Sequence, residues 1–152
     1  MKRVYQELIE KGLLREEKID FRQIQKISRK ALNSLKSAKI LLAAKQEESA
    51  FELAYEAMLL AGRALTFSYG LRPRTQGSHK IVIEFADLVL ESTFKPLIKK
   101  FDRMRKARHY LIYGAGFSIS KTEAENAIIS ASEFIKKVSL IIKKKKPQKE
   151  LF

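Results

Sequence analysis

The residues of this chain best suited to a chemical reaction are an arginine and the histidine that follows it. Arg108 and His109 are adjacent, Tyr110 and Tyr113 come just after them, and His79 is the other histidine of the sequence. An imidazole can move a proton to or from a ribose 2′-hydroxyl or a leaving oxygen, and a guanidinium can stabilise the charge of a phosphorane. These residues suit metal-free cleavage of RNA. The alternative makes His109 a surface residue of a basic helix and His79 a residue that only caps or orients a helix start.

The spacing of apolar residues puts Arg108 in an unusual place. In a helix over residues 95–113, apolar side chains recur along one face: Leu97, Phe101, Met104 and Leu111. Arg108 lies on that same face. The opposite face is basic and aromatic: Lys99, Arg103, Lys106, Tyr110 and Tyr113. A guanidinium keeps its charge inside a protein, so burying it unpaired is very costly. Either the apolar face opens into a cleft at Arg108, or a carboxylate pairs with it.

Candidate partners for Arg108 lie on a helix expected over residues 48–69, which is apolar on nearly every side. The charged exceptions share one face: Glu52, Glu56 and Arg63. Two carboxylates one turn apart can act as acid–base groups or metal ligands. The alternative is that they form the exposed side of the helix or pair with basic residues elsewhere. Whether Arg108 pairs with Glu52 or Glu56 stays open at this point.

The chain is strongly basic. Its 31 Lys and Arg against 17 Asp and Glu give a formal net charge of +14 and a pI of about 10.0. This balance favours polyanions, namely RNA, DNA, nucleotides or an acidic protein. The helix expected over residues 20–45 carries part of the charge on one side: Arg22, Lys26, Arg29, Asn33 and Lys36. The alternative for that side is ordinary solvation.

Other residue types narrow the class of protein. The chain has no cysteine, which excludes disulfides and thiol catalysis and favours a cytoplasmic location. With two histidines, a structural zinc site lacks its four ligands, and no phosphate-binding glycine loop opens a helix, so we expect no metal or cofactor. The charged first 12 residues do not read as a signal peptide, and no apolar run approaches the roughly 20 residues of a membrane span.

The pattern along the chain is helical nearly throughout. The expected helices cover residues 4–11, 20–45, 48–69, 79–91, 95–113 and 120 to about 143. They predict an all-α fold, an up-and-down bundle of five or six helices with two long antiparallel helices joined near residues 45–47. We expect one domain over residues 1–152, with a core at 19–143 and a basic flexible tail at 144–152.

Capping residues mark several helix boundaries. Asp20 is expected to cap the second helix, and Ser78 the fourth. Ser120 and Glu123 form a capping-box pattern at the start of the sixth. Residues 71–78 are expected to form a basic loop, and no strand is predicted, since nothing indicates a partner for one.

Three segments carry a family resemblance. Residues 54–58 read Ala-Tyr-Glu-Ala-Met before a long apolar stretch, residues 77–80 read Gly-Ser-His-Lys, and residues 103–114 contain the arginine-rich helix. In this order they resemble the central helix, the loop entering the next helix and the signature helix of the HEPN family, the "higher eukaryotes and prokaryotes nucleotide-binding" domains. The resemblance covers residues 19–143.

The signature of that family is an arginine, often followed by asparagine, with a histidine after four to six intervening residues. In the register that agrees with the apolar face, Arg108 is the signature arginine, His109 replaces the asparagine and Tyr113 takes the place of the histidine. A second register joins Arg103 to His109, but these side chains lie about 120° apart around a regular helix. A phenol, with a pKa of about 10, is a poorer proton carrier at neutral pH than an imidazole.

The resemblance implies roles for the residues around this helix. The candidate catalytic residues are Arg108, His109 and Tyr113. The candidate nucleotide- or RNA-binding residues are Arg103, Arg105, Tyr110, His79, Arg72 and Arg74. The resemblance also implies a homodimer whose signature helices face each other across a composite cleft. Many members are metal-independent endoribonucleases, often toxins neutralised by a small nucleotidyltransferase encoded beside them.

Three hypotheses follow. In the first, a homodimer binds a nucleotide or RNA in a cleft lined by Arg108, alone or with a nucleotidyltransferase partner. In the second, the same fold is an active ribonuclease that uses Arg108 with His109 or Tyr113. In the third, the protein is a helical interaction module that has no catalytic role.

Overall fold

The computed structural model describes residues 2–114, 116 and 118–146, which fold around one central helix. The helices are α1 (Gln6–Glu10), α2 (Phe21–Ala43), α3 (Glu47–Ser68), α4 (Ser78–Val89), α5 (Lys95–Tyr113) and α6 (Lys121–Lys145), with a 3₁₀ turn over Ser92–Phe94. Two short strands are β1 (Leu14–Glu16) and β2 (Leu71–Pro73). The predicted all-α helical bundle is confirmed.

The central helix is α3, which packs against α2, α4, α5 and α6. Its buried residues occur on nearly every side, as the sequence predicts, and the aromatic ring of Tyr55 is completely enclosed. Gly62 allows α4 to come close, because a Cβ at this position would collide with Val82 Cγ1. Phe101 of α5 and Phe134 of α6 pack edge to face beside it, with ring centroids 5.2 Å apart.

The helices α2 and α3 form a long hairpin. As predicted, Asp20 caps α2: its carboxylate accepts hydrogen bonds from the backbone N–H of Arg22 at 3.0 Å and of Gln23 at 3.4 Å. The turn lies where the sequence predicts it, and Lys45 has a left-handed backbone there with φ of 61°. The hairpin gives α3 a large part of its apolar cover.

A two-stranded antiparallel ribbon corrects the sequence analysis. Residues 71–78 were expected to form a loop, and this is wrong for Leu71–Pro73, which pairs with Leu14–Glu16. Leu14 and Leu71 are buried, so the ribbon has an apolar inner side. Periodicity within one segment does not show that two segments so far apart in the chain are partners.

The start of α4 also differs from expectation. Ser78 is the first residue of the helix instead of its cap, and Gly77 occupies the cap position with φ of 71°. No described side chain caps this helix start. The first backbone N–H groups of α4 therefore remain open to other acceptors.

The final helix begins with the predicted capping box, in which Ser120 and Glu123 bond reciprocally to each other's backbone. It continues through Lys145, so residues 144 and 145 belong to the helix and not to a tail. Lys145 Nζ lies 3.5 Å from the ring centroid of Tyr69. Of the rest of the expected tail, Lys146 follows the helix directly, and residues 147–152 lie outside the described residues.

The turn after α5 includes Gly114, whose N–H donates to the carbonyl of Tyr110 at 2.7 Å. Ala115 and Phe117 lie outside the described residues. Across the described part of the chain, no helix combines the length and apolar character needed to cross a membrane.

Candidate functional site

The C-terminal half of α5 leaves the core at the point where the sequence places its arginine. Leu97, Phe101 and Met104 are buried, whereas every residue from Arg105 to Tyr113 is half-buried or exposed. The apolar face therefore continues as an open cleft, which is one of the two alternatives that the position of Arg108 predicts.

This cleft, the Arg108 cleft, is formed between α5 and the start of α4. It has a volume of about 310 Å³ and is lined by Thr75, Gly77, Ser78, His79, Lys80, Arg105, Arg108 and His109. Three of these residues, Lys80, Arg105 and Arg108, are positively charged at neutral pH, and none is acidic. The uncapped start of α4 contributes the positive end of a helix dipole, so the cleft is suited to an anion.

The other alternative, an ion pair of Arg108, is not seen. Among the described residues, no carboxylate lies within 4.0 Å of the Arg108 guanidinium, and this includes Glu52 and Glu56. Arg105, by contrast, donates from Nε to Asp102 Oδ1 at 3.0 Å. Arg108 thus keeps its fork of N–H donors available for a planar or tetrahedral anion.

Arg108 is positioned instead by a buried aromatic ring. Its guanidinium carbon lies 5.6 Å from the ring centroid of Tyr55, within the range of a cation–π contact. The Tyr55 ring packs against Phe101 with centroids 5.9 Å apart. The arginine therefore rests on a rigid part of the core while its polar end reaches the cleft.

The same tyrosine holds His79. Tyr55 Oη lies 3.0 Å from His79 Nδ1 in a partly buried hydrogen bond. Burial raises the pKa of Tyr55 far above its ordinary value, so the hydroxyl is neutral at physiological pH. A neutral hydroxyl can donate to Nδ1 or accept from it, and this choice decides whether His79 Nε2 carries a proton.

Burial and neighbouring charges both favour the neutral form of His79. Burial lowers the pKa of His79, and the positive charges of Arg63 and Arg108 lower it further, while the negative charge of Glu56 opposes them. A neutral imidazole at pH 7 can accept a proton or donate a hydrogen bond. Arg63 and Glu56, which the sequence places on one face of α3, therefore act on the cleft through their charges.

His109 and the tyrosines continue along α5 into solvent. His109 lines the Arg108 cleft, and its ring centroid lies 4.9 Å from that of Tyr113 and 6.0 Å from that of Tyr110. Tyr110 is 60% exposed and Tyr113 is 76% exposed, and neither lines the cleft. The structure brings Arg108 and His109 to the cleft, whereas Tyr113 contacts His109 without lining the cleft.

Three other candidate residues lie elsewhere. Arg103 is exposed and is not part of the cleft lining. Arg72 pairs with Glu17, stacks on Phe67 at 4.8 Å and lines a different cleft. Arg74 is exposed and donates to the carbonyl of Gln76 at 3.1 Å.

Sequence reasoning missed Tyr55, which orients both Arg108 and His79. The only signal was the resemblance of residues 54–58 to a family segment, because inside an apolar helix a tyrosine reads as core. It also missed Thr75 and Lys80 as cleft residues. Within the described residues, no group of three or more His, Cys, Asp or Glu could hold a metal ion, so Glu52 and Glu56 form no such cluster there.

The fold and the cleft define a class of protein: an all-α bundle with a basic cleft built on an arginine-bearing helix. The HEPN domain family matches residues 24–145, and the chain belongs to this family. Members of the family are known for nucleotide or RNA binding and for ribonuclease activity. A comparison with curated proteins found no match.

Proposed function

We propose that this protein binds a nucleotide or RNA in the Arg108 cleft and does so as a homodimer. The observation that carries the proposal is that Arg108 faces the cleft with no ion-pair partner among the described residues. A guanidinium held on an aromatic ring, with its donors directed away from the core, is a ready partner for a phosphate.

The rest of the lining supports an anionic ligand that also carries hydrogen-bonding groups. Lys80 adds positive charge beside Arg108, and Arg105 adds further N–H donors, although its Nε already donates to Asp102. The backbone at Gly77 and Ser78 adds the start of α4. Phosphate groups bind at such helix starts because backbone N–H groups and the helix dipole act together. His79 and His109 can provide hydrogen bonds to a base, a sugar or a phosphate.

The binding experiment compares two arginines of the same helix. A fluorescent mononucleotide and a short single-stranded RNA are titrated with wild-type protein, Arg108→Ala and Arg103→Ala, with EDTA present. We expect Arg108→Ala to weaken binding about 10-fold or more, since hydrogen bonds to charged groups contribute about 1.5–3 kcal/mol. Arg103→Ala, an exposed control with the same charge change, should shift affinity only slightly. Equal affinities for both variants would contradict the proposal.

Dimerisation is supported by the exposed end of α5. Tyr110, Ile112 and Tyr113 are 60%, 42% and 76% exposed. Tyr110 and Tyr113 share one side of the helix, and Ile112 lies on the same side as Arg108, one turn further along. Clusters of exposed apolar and aromatic side chains are typical of interfaces. Pairing of two α5 helices here would bring a second Arg108 cleft close to the first, as the HEPN resemblance implies.

Analytical ultracentrifugation tests this interface. Ile112→Asp should convert the dimer to monomer at micromolar concentration, because the carboxylate would be desolvated at the contact. The matched control is Ile129→Asp, an exposed isoleucine of α6. A monomeric wild type, or equal behaviour of the two variants, would reject a dimer through α5.

The second candidate function is metal-independent endoribonuclease activity. It is favoured by the two histidines that line one cleft with Arg108. A neutral imidazole can take the proton of the 2′-hydroxyl as its oxygen attacks phosphorus, a second imidazole in its protonated form can give its proton to the leaving 5′-oxygen, and the guanidinium can stabilise the phosphorane. Tyr113 occupies the place where the family signature has a histidine, so His79 and His109 are the candidate proton carriers.

Cleavage of a mixed RNA pool in EDTA separates binding from catalysis. Loss of cleavage in Arg108→Ala would establish a ribonuclease, and the rates of His79→Asn and His109→Ala would assign the proton carriers. Absence of cleavage by pure dimeric wild type would reject the nuclease for the isolated protein and leave the binding function.

A nucleotidyltransferase partner, as in toxin–antitoxin pairs, is a further part of the proposal. A neighbouring gene for a small nucleotidyltransferase whose product co-purifies with this protein would support the pair. If Arg108→Ala instead abolished dimerisation without changing ligand binding, the protein would be an interaction module in which Arg108 has a structural role.

A further inference from the structure

The outer side of α2 is a second basic surface, separate from the Arg108 cleft. The helix Phe21–Ala43 contains no Asp or Glu. Its basic residues are all exposed: Arg22, Lys26, Arg29, Lys30, Lys36 and Lys39. The helix α2 packs on α3 and α6, whereas α5 packs on α3, α4 and α6. None of the basic residues of α2 lines the Arg108 cleft.

Four of these residues form a continuous line, the basic stripe, which consists of Arg22, Lys26, Arg29 and Lys36. At 100° per residue they fall within an arc of about 80°, and at 1.5 Å per residue they extend over about 21 Å. A straight row of this length can contact several consecutive phosphates of one nucleic acid strand.

The stripe is not neutralised by the protein itself. Among the described residues, none of its four side chains forms an ion pair, while lysines elsewhere do, as in Lys11 with Glu7. The carboxylates closest in sequence are already engaged. Asp20 caps α2, and Glu17 pairs with Arg72.

A large cleft extends the stripe at its N-terminal end. Its volume is about 1440 Å³, and its charged lining has an excess of basic residues: Lys18, Arg22, Lys26, Arg72 and Lys146, from four segments of the chain, against Glu17, which pairs with Arg72, and Asp20. Cations from separate segments that converge on one concave surface raise the local positive potential. The cleft and the stripe together form one continuous basic track.

We propose that the basic stripe is a second RNA-contacting surface, which holds the phosphate backbone of a longer RNA without reading its sequence. This inference rests on the proposed function, since it assumes that RNA is the ligand. RNA fits better than an acidic protein, because a straight row of cations about 21 Å long matches the repeated phosphates of one strand, and because protein interfaces are depleted in lysine, of which the stripe has two. The stripe adds affinity that depends on RNA length and on salt.

The test uses two variants that each lose four positive charges. The stripe variant carries Arg22→Gln, Lys26→Gln, Arg29→Gln and Lys36→Gln. The control variant carries Lys2→Gln, Lys11→Gln, Lys95→Gln and Lys121→Gln, four exposed lysines that each belong to an ion pair outside α2. Labelled single-stranded RNAs of about 5 and about 30 nucleotides are titrated at several salt concentrations, and circular dichroism checks folding.

We expect the stripe variant to bind the long RNA at least about 10-fold more weakly at low salt and the short RNA unchanged. Each lost phosphate contact should reduce the slope of log K against log salt by about 0.7, so the total reduction is about 2–3. The control variant should keep most of the wild-type slope. Equal slopes and affinities for both variants would overturn the proposal, and this is also the outcome expected if the stripe serves an acidic protein.

The same titrations separate the stripe from the cleft. Arg108→Ala should lose the short RNA yet keep the length-dependent gain that the stripe provides. If neither the wild type nor any variant binds the short RNA, while binding of the long RNA depends on the stripe, the cleft proposal fails and the stripe proposal stands. If short RNA binds and the wild type gains nothing from length, the stripe proposal fails and the cleft stands.

Discussion

The central helix α3 and the C-terminal half of α5 use their side chains in opposite ways. In α3 most residues are buried and its three charged residues past the first turn lie half-buried along one side. In α5, nothing beyond Met104 is buried: Arg105 and Arg108 are half-buried, and the exposed residues are Lys106, His109, Tyr110, Ile112 and Tyr113. The comparison teaches that tight packing and the candidate cleft lie in different parts of the fold, which meet where Tyr55 contacts Arg108 and His79.

The largest expected effect is on the packing side of this comparison. Phe101 is completely buried between the rings of Tyr55 and Phe134, and Phe101→Ala should lower the free energy of unfolding by about 3–5 kcal/mol. Arg108→Ala, seven residues later on the same helix, loses a cation–π contact and should cost only about 0.5–1 kcal/mol. Urea unfolding measures both variants. Similar losses of unfolding free energy in the two variants would show that the two halves of α5 contribute equally to stability.

A second variant adds atoms to α3 instead of removing them from its partner. In Gly62→Val the new side chain would collide with Val82 and push α4 away, at a cost of about 1–3 kcal/mol. Gly62→Ala adds less volume and should cost less. Because α4 carries His79, its displacement should also weaken nucleotide binding. This loss of binding distinguishes Gly62→Val from Phe101→Ala, which should still bind when it is folded. A Gly62→Val protein as stable as wild type would contradict the close approach.

The contact between the two regions can be weakened without removing volume. Tyr55→Phe keeps the ring beneath Arg108 but removes the hydroxyl that bonds His79 Nδ1, and it should cost about 0.5–1.5 kcal/mol. Tyr113→Phe is the matched control, since Tyr113 is 76% exposed and its change should be close to zero. Nitrogen NMR of the His79 ring should show a changed mixture of tautomers in Tyr55→Phe. An unchanged spectrum would mean that the hydrogen bond does not select the tautomer.

The helices and most of the core could be predicted because amphipathic spacing is a local property of the chain. The same local signal exposed Arg108, since a charge on an apolar face is visible within one helix. The ribbon of Leu14–Glu16 with Leu71–Pro73 could not be predicted, because neither segment indicates its partner. The position of Arg72 depends on that ribbon, which explains why grouping it with Arg108 from sequence did not match the structure.

The Tyr55–His79 bond lay beyond sequence reasoning for a different reason. The two residues are 24 positions apart, on separate helices, and the bond depends on the angle at which α4 meets α3. The contact between α3 and α4 is close at Gly62, next to Val82 of α4. A glycine within an apolar helix does not indicate which residue packs against it. The chemistry of the cleft therefore follows from packing that only three-dimensional contacts reveal.

The smallest expected effect concerns the titration of His79. In the unfolded chain a histidine has a pKa of about 6.5, and burial together with Arg63 and Arg108 lowers the pKa of His79 in the fold. Between the two pKa values the unfolded state binds a proton that the folded state does not. The free energy of unfolding should therefore fall as the pH drops below about 6.5 and stop falling below the folded-state pKa.

The measurement is the urea midpoint as a function of pH for wild type, His79→Asn and His109→Asn. His79→Asn should remove this decrease, while His109→Asn should keep it, because His109 is exposed on α5 and His79 is half-buried. The shift should be much smaller than that of Phe101→Ala, since the imidazole is partly solvated. If the decrease disappeared only in His109→Asn, the titrating group would lie on the exposed part of α5 and not at the contact with Tyr55.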